Sequence, residues 1–350
     1  MFAIGAIGCL ITWGLGIIVG GLLARLVAVQ FAYRGEPISF PMLIASAYSG
    51  FIVWHMGYSG SAPLIAATPA SFVSESLGET IPLTSTIFSW WNLLAIVLTM
   101  VVVALTLYVI APRSVPEKHI VDESIIAETL GKPEEFPSRT AADKVDNSRW
   151  LTTGFGLIVV TYLVTHFASG GSTTLDIVNW IFLALILLMV SNVNELLSLV
   201  HKAASNVGDI LLQFPLYAGI MGIMTASGLV TVISNWMLSV STPETLGLWS
   251  FFSAGAVNFF VPSGGGQIAV QGPILLEAGA QLGVDPSILI MALAYGDQWT
   301  NMIQPFWALP LLALAGLRVR DILGYTTAVF ITSGITLGGA ILTIGFLFAS

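Results

Sequence analysis

Residues 87–111 contain no charged side chain, and a helix of this length crosses the hydrocarbon core of a bilayer. A backbone surrounded by lipid must satisfy its hydrogen bonds internally, which a helix does within one segment. Similar apolar runs recur along the 350 residues, of which 56% are hydrophobic and 9% are charged. An average soluble domain carries about 25% charged residues. The sequence therefore predicts an all-α polytopic membrane protein.

The apolar runs fall into two halves separated by a hydrophilic segment. Residues 112–149 hold 14 of the 30 charged residues and several prolines, which predicts a cytoplasmic linker without a core of its own. The N-terminal transmembrane half is residues 1–111 and the C-terminal half is residues 150–350. Besides 87–111, spans are predicted at residues 4–31, with Arg25 snorkelling near the end, and at 150–167, 175–200, 207–237 (interrupted by Pro215) and 322–348.

Composition argues against several classes of protein. Cys9 is the only cysteine, so there is no disulfide framework, and we interpret it as a buried structural thiol. The eleven Lys and Arg residues are scattered, which gives no support for a nucleic-acid partner. No phosphate-binding Gly-x-x-x-x-Gly-Lys-Ser/Thr string and no secretory signal occur. We expect no enzymatic step, no bound cofactor and no dedicated metal site other than a coupling ion.

The stretch 258–273 is the strongest functional signal in the chain. It contains Pro262, Ser263 and three consecutive glycines, Gly264 to Gly266, between two apolar arms that are each short for a crossing. Each glycine costs roughly 1 kcal/mol in a helix relative to alanine, so we expect irregular backbone here. Such backbone is tolerated at membrane depth where it lines a cavity, and broken segments indicate a transporter's binding site. We predict a re-entrant hairpin over 246–282; the alternative is a glycine-rich packing contact.

Two other segments are broken in a similar way. Residues 286–317 are apolar but interrupted at 295–301, which predicts a broken helix. Region 40–85 is crowded with Gly, Ser and Pro at 54–63 and has polar residues again at 84–92, which predicts a first broken region. Free N–H groups at such turns attract anions, and unwound carbonyls coordinate cations, so Na⁺ at the hairpin tips is a candidate coupling ion.

Charge distribution favours an inverted repeat. If region 40–85 crosses the membrane an odd number of times and 246–282 crosses zero times, all eleven basic residues lie on one face, which we assign to the cytoplasm. If residues 40–73 instead return to their own side, Arg25 and Arg34 lie opposite the rest. We prefer the first topology, in which the two broken regions approach from opposite faces. It places Met1 outside, so we expect the chain to lack one or more N-terminal helices.

Two titratable residues near the breaks have alternative interpretations. Asp297 is the acid best placed within the membrane, where ionisable groups usually serve as proton or cation sites; alternatively, it caps a half-helix near an interface. His55 either carries a proton or binds substrate, or it is a satisfied structural group. No Lys or Arg lies in the centre of a predicted span. We therefore expect amides, hydroxyls and helix dipoles to hold an anion, which favours a small monoanion over a dicarboxylate.

An intramembrane serine protease is the alternative outside transport. Gly57-Tyr58-Ser59-Gly60 matches the short Gly-x-Ser-Gly string of such enzymes. A protease needs a histidine facing Ser59 and leaves the stretch 258–273 unexplained. We favour transport.

Several motifs carry a family resemblance. Asn258-Phe-Phe-Val-Pro-Ser-Gly-Gly-Gly-Gln267, the segment 47–69 and Tyr295-Gly-Asp-Gln-Trp-Thr-Asn301 closely resemble the signature of the short-chain fatty acid transporter family over nearly the whole chain. The resemblance implies import of acetoacetate or butyrate across the bacterial inner membrane, coupled to H⁺ or Na⁺. It implies two opposed hairpins that meet at a midplane site. A dicarboxylate carrier or ion antiporter of the same superfamily is the alternative, and a homo-oligomer is possible.

The positions of these motifs in the sequence predict the candidate site. We infer hairpin tips at 59–61 and 263–267, with adjoining helix breaks that supply further polar groups. The residues expected to bind substrate or coupling ion are His55, Ser59, Gly60, Ser61, Thr84, Thr86, Asn92, Asn258, Ser263, Gly264, Gly265, Gly266, Gln267, Gln271, Asp297, Gln298, Thr300 and Asn301.

Overall fold

The regular elements of the computed structural model are all helical among the residues it describes, which are 1–116, 120–122, 125–126, 140–171, 175–304 and 306–348. The predicted all-α polytopic fold is confirmed. The α-helices are α1 Phe2–Ile11, α2 Trp13–Tyr33, α3 Phe40–Ser49, α4 Ser61–Ala67, α5 Phe72–Leu77, α6 Trp90–Ile110, α7 Ala141–Asp146, α8 Arg149–Ala168, α9 Leu175–Met189, α10 Val193–Ala226, α11 Leu229–Leu238, α12 Leu246–Asn258, α13 Gly264–Leu282, α14 Pro286–Thr300, α15 Leu309–Ala315 and α16 Val319–Phe348.

Four of the described helices, α2, α6, α8 and α16, are long and apolar enough to cross a membrane. Helix α6 has a mean hydropathy of 2.9, yet only 28% of its most apolar window is buried inside the protein. Its exposed residues include Leu94, Val97 and Val101. Apolar side chains exposed along a whole helix are a liability in water and are stable in lipid.

The chain forms two compact units, one of residues 1–129 with 211–350 and the other of residues 130–210. This division by contacts differs from the two halves read from the sequence, whose membrane topology and inverted repeat stay predictions. In the smaller unit, α8 and α9 pack through Leu163, Ile177 and Ala184. The predicted span 175–200 is divided, since α9 ends at Met189 and α10 begins at Val193.

The prediction of a single membrane helix over residues 4–31 is wrong. The chain breaks at Thr12, whose extended backbone (φ −153°, ψ 130°) separates α1 from α2. The first N–H groups of a helix have no partner within it. Here the hydroxyl of Ser59 accepts a hydrogen bond from the N–H of Trp13 at 2.8 Å, so a residue far along the chain fixes the start of α2.

Glycines allow α1 to pack against its neighbours backbone to backbone. A Cβ atom on Gly16 of α2 would lie 2.4 Å from the carbonyl oxygen of Gly5, and one on Gly50 would lie 2.4 Å from the nitrogen of Ala6. Small residues permit this close approach of helices in membranes. Helix α1 is therefore separate from α2 and packs closely against it.

Arg25 turns inward instead of snorkelling. Its guanidinium is buried and donates hydrogen bonds to the carbonyl oxygens of Leu314, at 3.2 Å, and Ile125, at 3.4 Å. Leu314 lies in the last turn of α15, where carbonyl groups lack helical partners. Val121 is buried in the same core, so the described part of the linker before residue 127 packs on the larger unit.

The first broken region contains a 3₁₀ helix, Gly50–Met56, that continues directly from α3. All of its residues are buried. Runs of 3₁₀ helix longer than about four residues are uncommon and often mark functional hinges. A turn over residues 57–60 follows, and α4 then begins at Ser61. Among the described helices of region 40–85 none is long enough to span, so its crossing count stays a prediction.

The stretch 258–273 forms a helical hairpin with a tighter break than expected. Helix α12 ends at Asn258, residues 259–263 form the link, and α13 begins at Gly264. The glycines expected to be irregular form the first turn of α13, where Ser263 is the N-cap and its Oγ accepts a hydrogen bond from the Gly266 N–H at 3.3 Å. A serine cap stabilises a helix start and offsets the low helix propensity of glycine.

Two predicted interruptions lie elsewhere in the structure. Helix α14 continues through Gly296 to Thr300, and the irregular backbone begins only at residues 301–304; a short 3₁₀ helix, Phe306–Ala308, lies further on. Gly296 is there for packing, since a Cβ atom would lie 2.1 Å from the carbonyl oxygen of Phe251 on α12. Helix α10 likewise continues through Pro215, and it ends just before Gly228, which has a left-handed backbone (φ 70°).

Candidate functional site

A cavity of about 200 Å³ lies where the two broken regions of the larger unit meet. Its walls come from the starts of α2, α4 and α13, from the first 3₁₀ helix and from the short 3₁₀ helix after α14. The lining residues are Trp13, Phe51, Trp54, Ser61, Ser263, Gly264 and Trp307. The described lining is thus aromatic with two hydroxyls and one helix N-terminus, and it includes no charged side chain.

The N-terminus of α13 opens at this cavity. The N–H groups of Gly264 and Gly265 have no partner within the helix, because they belong to its first turn. These groups and the helix dipole make a helix N-terminus a site for anions. Trp54, which also lines the cavity, has a buried indole Nε1 with no hydrogen-bond partner in the described structure. Gly264 and Trp54 line the cavity, and the unpartnered N–H groups of Gly264, Gly265 and the Trp54 indole thus lie in or beside this lining.

Gly264 also contacts a buried histidine–aspartate pair. The Nδ1 of His55 lies 2.7 Å from the Oδ2 of Asp297, and the two side chains are 0% and 1% exposed. A Cβ atom on Gly264 would lie 2.7 Å from His55 Cε1 and 3.1 Å from Asp297 Oδ2. Glycine at this position therefore lets the first turn of α13 approach the pair directly.

Hydrogen bonds fix the orientation of His55. Its Nε2 accepts from the N–H of Ala62 at 3.0 Å, so in the neutral ring the proton is on Nδ1, which faces Asp297. The Nδ1–H bond does not point at Asp297 Oδ2, so the two atoms are in close contact without a well-aligned hydrogen bond. Both oxygens of Asp297 otherwise have no hydrogen-bond partner in the described structure. The carboxylate is thus buried with free lone pairs.

The 3₁₀ helix is held against α14 next to this pair. The backbone N–H of His55 donates to Gln298 Oε1 at 2.9 Å, and the imidazole stacks on Trp54 with ring centroids 4.2 Å apart. Phe51 also stacks on Trp54, with ring centroids 5.4 Å apart. Because these rings are packed on each other, the pair and the cavity wall form one rigid cluster.

A second polar cluster lies at the ends of α12 and α14. The Nδ2 of Asn258 donates to Thr300 Oγ1 at 2.8 Å and to Asn301 Oδ1 at 2.9 Å. Gln304 Nε2 donates to the Asn258 carbonyl oxygen at 3.2 Å, and the Tyr48 hydroxyl donates to the Asn301 carbonyl oxygen at 2.7 Å. These bonds satisfy backbone carbonyl groups near the end of α14. Asn258 Oδ1, Asn301 Nδ2 and Gln304 Oε1 stay buried without a hydrogen-bond partner in the described structure.

Other candidate residues support the packing of helices. Gln267 Nε2 donates to the Ala254 carbonyl oxygen at 2.7 Å, and Gln271 Nε2 donates to Ser253 Oγ at 2.6 Å, which joins α13 to α12. Gly60 lies buried in the turn before α4. Each of these residues lies on one of the predicted elements, but none lines the cavity.

Residues 84–92 contribute indirectly or not at all. Asn92 Nδ2 donates to the carbonyl oxygen of Met56 at 2.9 Å, and its Oδ1 accepts from the hydroxyl of Tyr295 at 2.7 Å. Asn92 thus connects α6 to the 3₁₀ helix Gly50–Met56 and to α14. Thr86 is buried, with no hydrogen-bond partner for Oγ1 in the described structure. Thr84 is exposed and lies outside the cavity lining.

The aromatic wall of the cavity is not among the site residues predicted from the sequence. Trp13 and Trp307 meet edge to face with centroids 4.8 Å apart, and Phe51 lies 5.9 Å from Trp307. Trp54 directly precedes the predicted site residue His55, so its place in sequence is a signal that it lies at the site. Phe51, Trp13 and Trp307 resemble lipid-facing aromatic residues in sequence, and only the fold shows that they line the cavity.

An α-helical membrane fold in which a broken region places a helix N-terminus on a small cavity is typical of membrane transport proteins. The sequence model described as "Short chain fatty acid transporter" matches residues 1–348. The chain belongs to the short-chain fatty acid transporter family.

Individual relatives agree with this assignment. The chain is 39% identical over 337 residues to a protein of Escherichia coli strain K12 named "Putative short-chain fatty acid transporter", covering 95% of this chain and 74% of the relative. A protein of the same name from Haemophilus influenzae is 37% identical over 343 residues, covering 96% of this chain and 76% of that protein. An Escherichia coli protein named "Putative basic amino acid antiporter YfcC" is 32% identical over 96 residues, covering 27% of this chain and 19% of that protein. No solved structure matches the chain.

Proposed function

We propose that this protein is a secondary carrier that imports short-chain monocarboxylates, such as butyrate or acetoacetate, across a bacterial inner membrane. The observation that carries the proposal is the cavity at the N-terminus of α13, with aromatic walls and no charged side chain in its described lining. The family name supports the substrate class.

The carboxylate binds at the polar end of the cavity. The N–H groups of Gly264 and Gly265 and the indole N–H of Trp54 donate to its oxygens, and the hydroxyl of Ser61 lies in the same lining. Charge-assisted hydrogen bonds of this kind are about twice as strong as neutral ones. The proposal does not use an arginine that binds the substrate carboxylate through two hydrogen bonds. Arg25, the only arginine buried in the described helices, donates its hydrogen bonds to backbone carbonyl oxygens.

The acyl chain lies against the aromatic wall. Phe51, Trp13 and Trp307 present apolar rings around the rest of the cavity. Burial of each methylene there contributes about 0.8 kcal/mol. A cavity of about 200 Å³ has room for a small molecule such as a short-chain monocarboxylate, since a cavity of roughly 150 Å³ already holds the six carbons of benzene.

The alternatives fit less well. A dicarboxylate leaves its second charge against aromatic rings with no cationic partner in the described lining. The likeness to the antiporter covers only 27% of this chain. For a serine protease, Ser59 would need a histidine. Its Oγ instead accepts from the Trp13 N–H, and the ring nitrogens of His55 face Ala62 and Asp297.

The test is uptake of labelled butyrate and acetoacetate by proteoliposomes, with pH and sodium gradients imposed separately. Protein-free liposomes, which report the leak of the neutral acids, are the control. We expect saturable uptake that unlabelled propionate inhibits and that succinate and lysine do not. Uptake of neither acid under either gradient, or equal inhibition by succinate, would contradict the proposal.

A further inference from the structure

We propose that Asp297 binds the proton that accompanies each monocarboxylate, and that His55 is the residue that positions this carboxylate. The protein is then a proton symporter in which substrate and proton sites touch. This inference rests on the proposed function and adds the identity of the coupling ion and of the group that binds it.

Contact between the two sites carries the argument. The first turn of α13, where the substrate carboxylate binds, meets Asp297, as shown by the 3.1 Å between Asp297 Oδ2 and a Cβ atom placed on Gly264. With the imidazole of His55 neutral and the carboxyl group of Asp297 ionised, the buried pair carries one net negative charge. A second carboxylate beside it raises that charge to two, and like charges in low dielectric repel strongly. Binding one proton removes the repulsion.

Asp297 is the acceptor of this proton, and His55 is not. The Nε2 lone pair of His55 accepts from the Ala62 N–H at 3.0 Å, so protonation there would break a buried hydrogen bond. Both oxygens of Asp297 have no hydrogen-bond partner in the described structure. In the cycle, H⁺ from the acidic side forms an O–H bond on Asp297 and the substrate anion enters. Both leave on the other side, and Asp297 returns as the carboxylate. Each cycle moves one proton and one anion, without net charge.

The helices packed against the pair offer no competing buried acid in the part of the chain that the structure describes. Some of their titratable side chains are committed to other hydrogen bonds, namely Cys9, Arg25, Tyr48, Tyr295 and Asp321. Tyr325 is half-buried, and the others are exposed: Tyr33, Tyr108, Glu277, Asp285 and Arg320. Asp297 is thus the one carboxylate beside the cavity among these residues.

Two assays on proteoliposomes separate coupling from transport. One measures butyrate accumulation driven by a pH gradient, and the other measures exchange of labelled for unlabelled butyrate at equal pH on both sides. Asp297→Asn is expected to lose at least tenfold in accumulation and to exchange at a rate that no longer varies with pH. His55→Gln is expected to accumulate butyrate with a displaced pH profile. Glu277→Gln, a neutralised exposed carboxylate on α13, is expected to behave as wild type.

Proton uptake by the purified wild-type protein provides a second test that needs no variant. Addition of butyrate in weak buffer is expected to take up one proton for each butyrate bound. Accumulation by Asp297→Asn at the wild-type level, accumulation by wild type on a sodium gradient alone, or butyrate binding without proton uptake would overturn the inference and leave the proposed function standing. Absence of exchange by wild type would overturn the proposed function itself.

Discussion

Gly264 is the position where a single added methyl group tests the site most sharply. In Gly264→Ala the Cβ atom would lie 2.7 Å from His55 Cε1, 3.0 Å from Trp54 Cη2 and 3.1 Å from Asp297 Oδ2. Contacts this short force the neighbours to move, and the stacked rings of Trp54 and His55 are not flexible side-chain ends. The rings and the start of α13 therefore shift relative to each other at the carboxylate site.

Overpacking of a well-packed site costs about 1–3 kcal/mol. Since each 1.36 kcal/mol is a factor of ten, the loss in Vmax/KM for butyrate is about fivefold to 150-fold if the site bears this cost. The assay is initial-rate uptake into proteoliposomes, with protein folding checked by thermal unfolding in detergent. We expect most of this loss to come from a higher KM rather than from a lower Vmax, because the shift moves the groups that bind the carboxylate.

Gly265 provides the matched control. A Cβ atom there meets only Ile65 Cδ1, at 4.0 Å, and alanine keeps the backbone N–H. Alanine is better than glycine in a helix by up to about 1 kcal/mol. We expect Gly265→Ala to stay within about threefold of wild type, since this factor corresponds to only about 0.6 kcal/mol. Equal losses of Vmax/KM in Gly264→Ala and Gly265→Ala would refute the contact between α13 and the His55–Asp297 pair.

The remaining predictions concern the cavity wall and the helix packing. Trp307→Ala enlarges the cavity, so uptake of hexanoate should rise relative to butyrate, by up to about fifteenfold for two methylenes at about 0.8 kcal/mol each; a constant ratio in competition assays would argue against the aromatic wall. Gly296→Ala places a methyl group 2.1 Å from the Phe251 carbonyl oxygen and should destabilise the protein by about 1–3 kcal/mol, seen as a lower unfolding temperature. Tyr295→Phe removes the hydroxyl that donates to Asn92, at a cost of about 1–3 kcal/mol because a buried acceptor is left unpaired; an unchanged unfolding temperature would refute this.

The fold class and the main components of the site were predictable because they depend on local composition. Apolar runs predict helices, and a serine followed by glycines indicates a break. The structure accordingly brings Ser61, Ser263 and Gly264 to one cavity. His55 and Asp297, selected separately as intramembrane titratable groups, prove to be in contact.

The errors come from contacts between distant residues. The break at Thr12 depends on Ser59, which lies 46 positions after Trp13. Gly296 suggested an interruption because a glycine for flexibility and a glycine for packing are identical in sequence; only the nearby Phe251 carbonyl oxygen separates them. For the same reason Trp13 and Trp307 could not be told from lipid-facing aromatics.

The most direct test of the account is protection of a cysteine in the cavity by substrate. Cys9, the only cysteine, is buried, so Cys9→Ala gives a background for Ser61→Cys in the cavity lining. Ser85→Cys, in a separate cavity beside residues 79–82 and 283–287, is the control. At ten times its KM, butyrate is expected to slow modification of Ser61→Cys by a small methanethiosulfonate about tenfold and to leave Ser85→Cys unaffected. Equal rates with and without saturating butyrate at Ser61→Cys would contradict the proposed binding site.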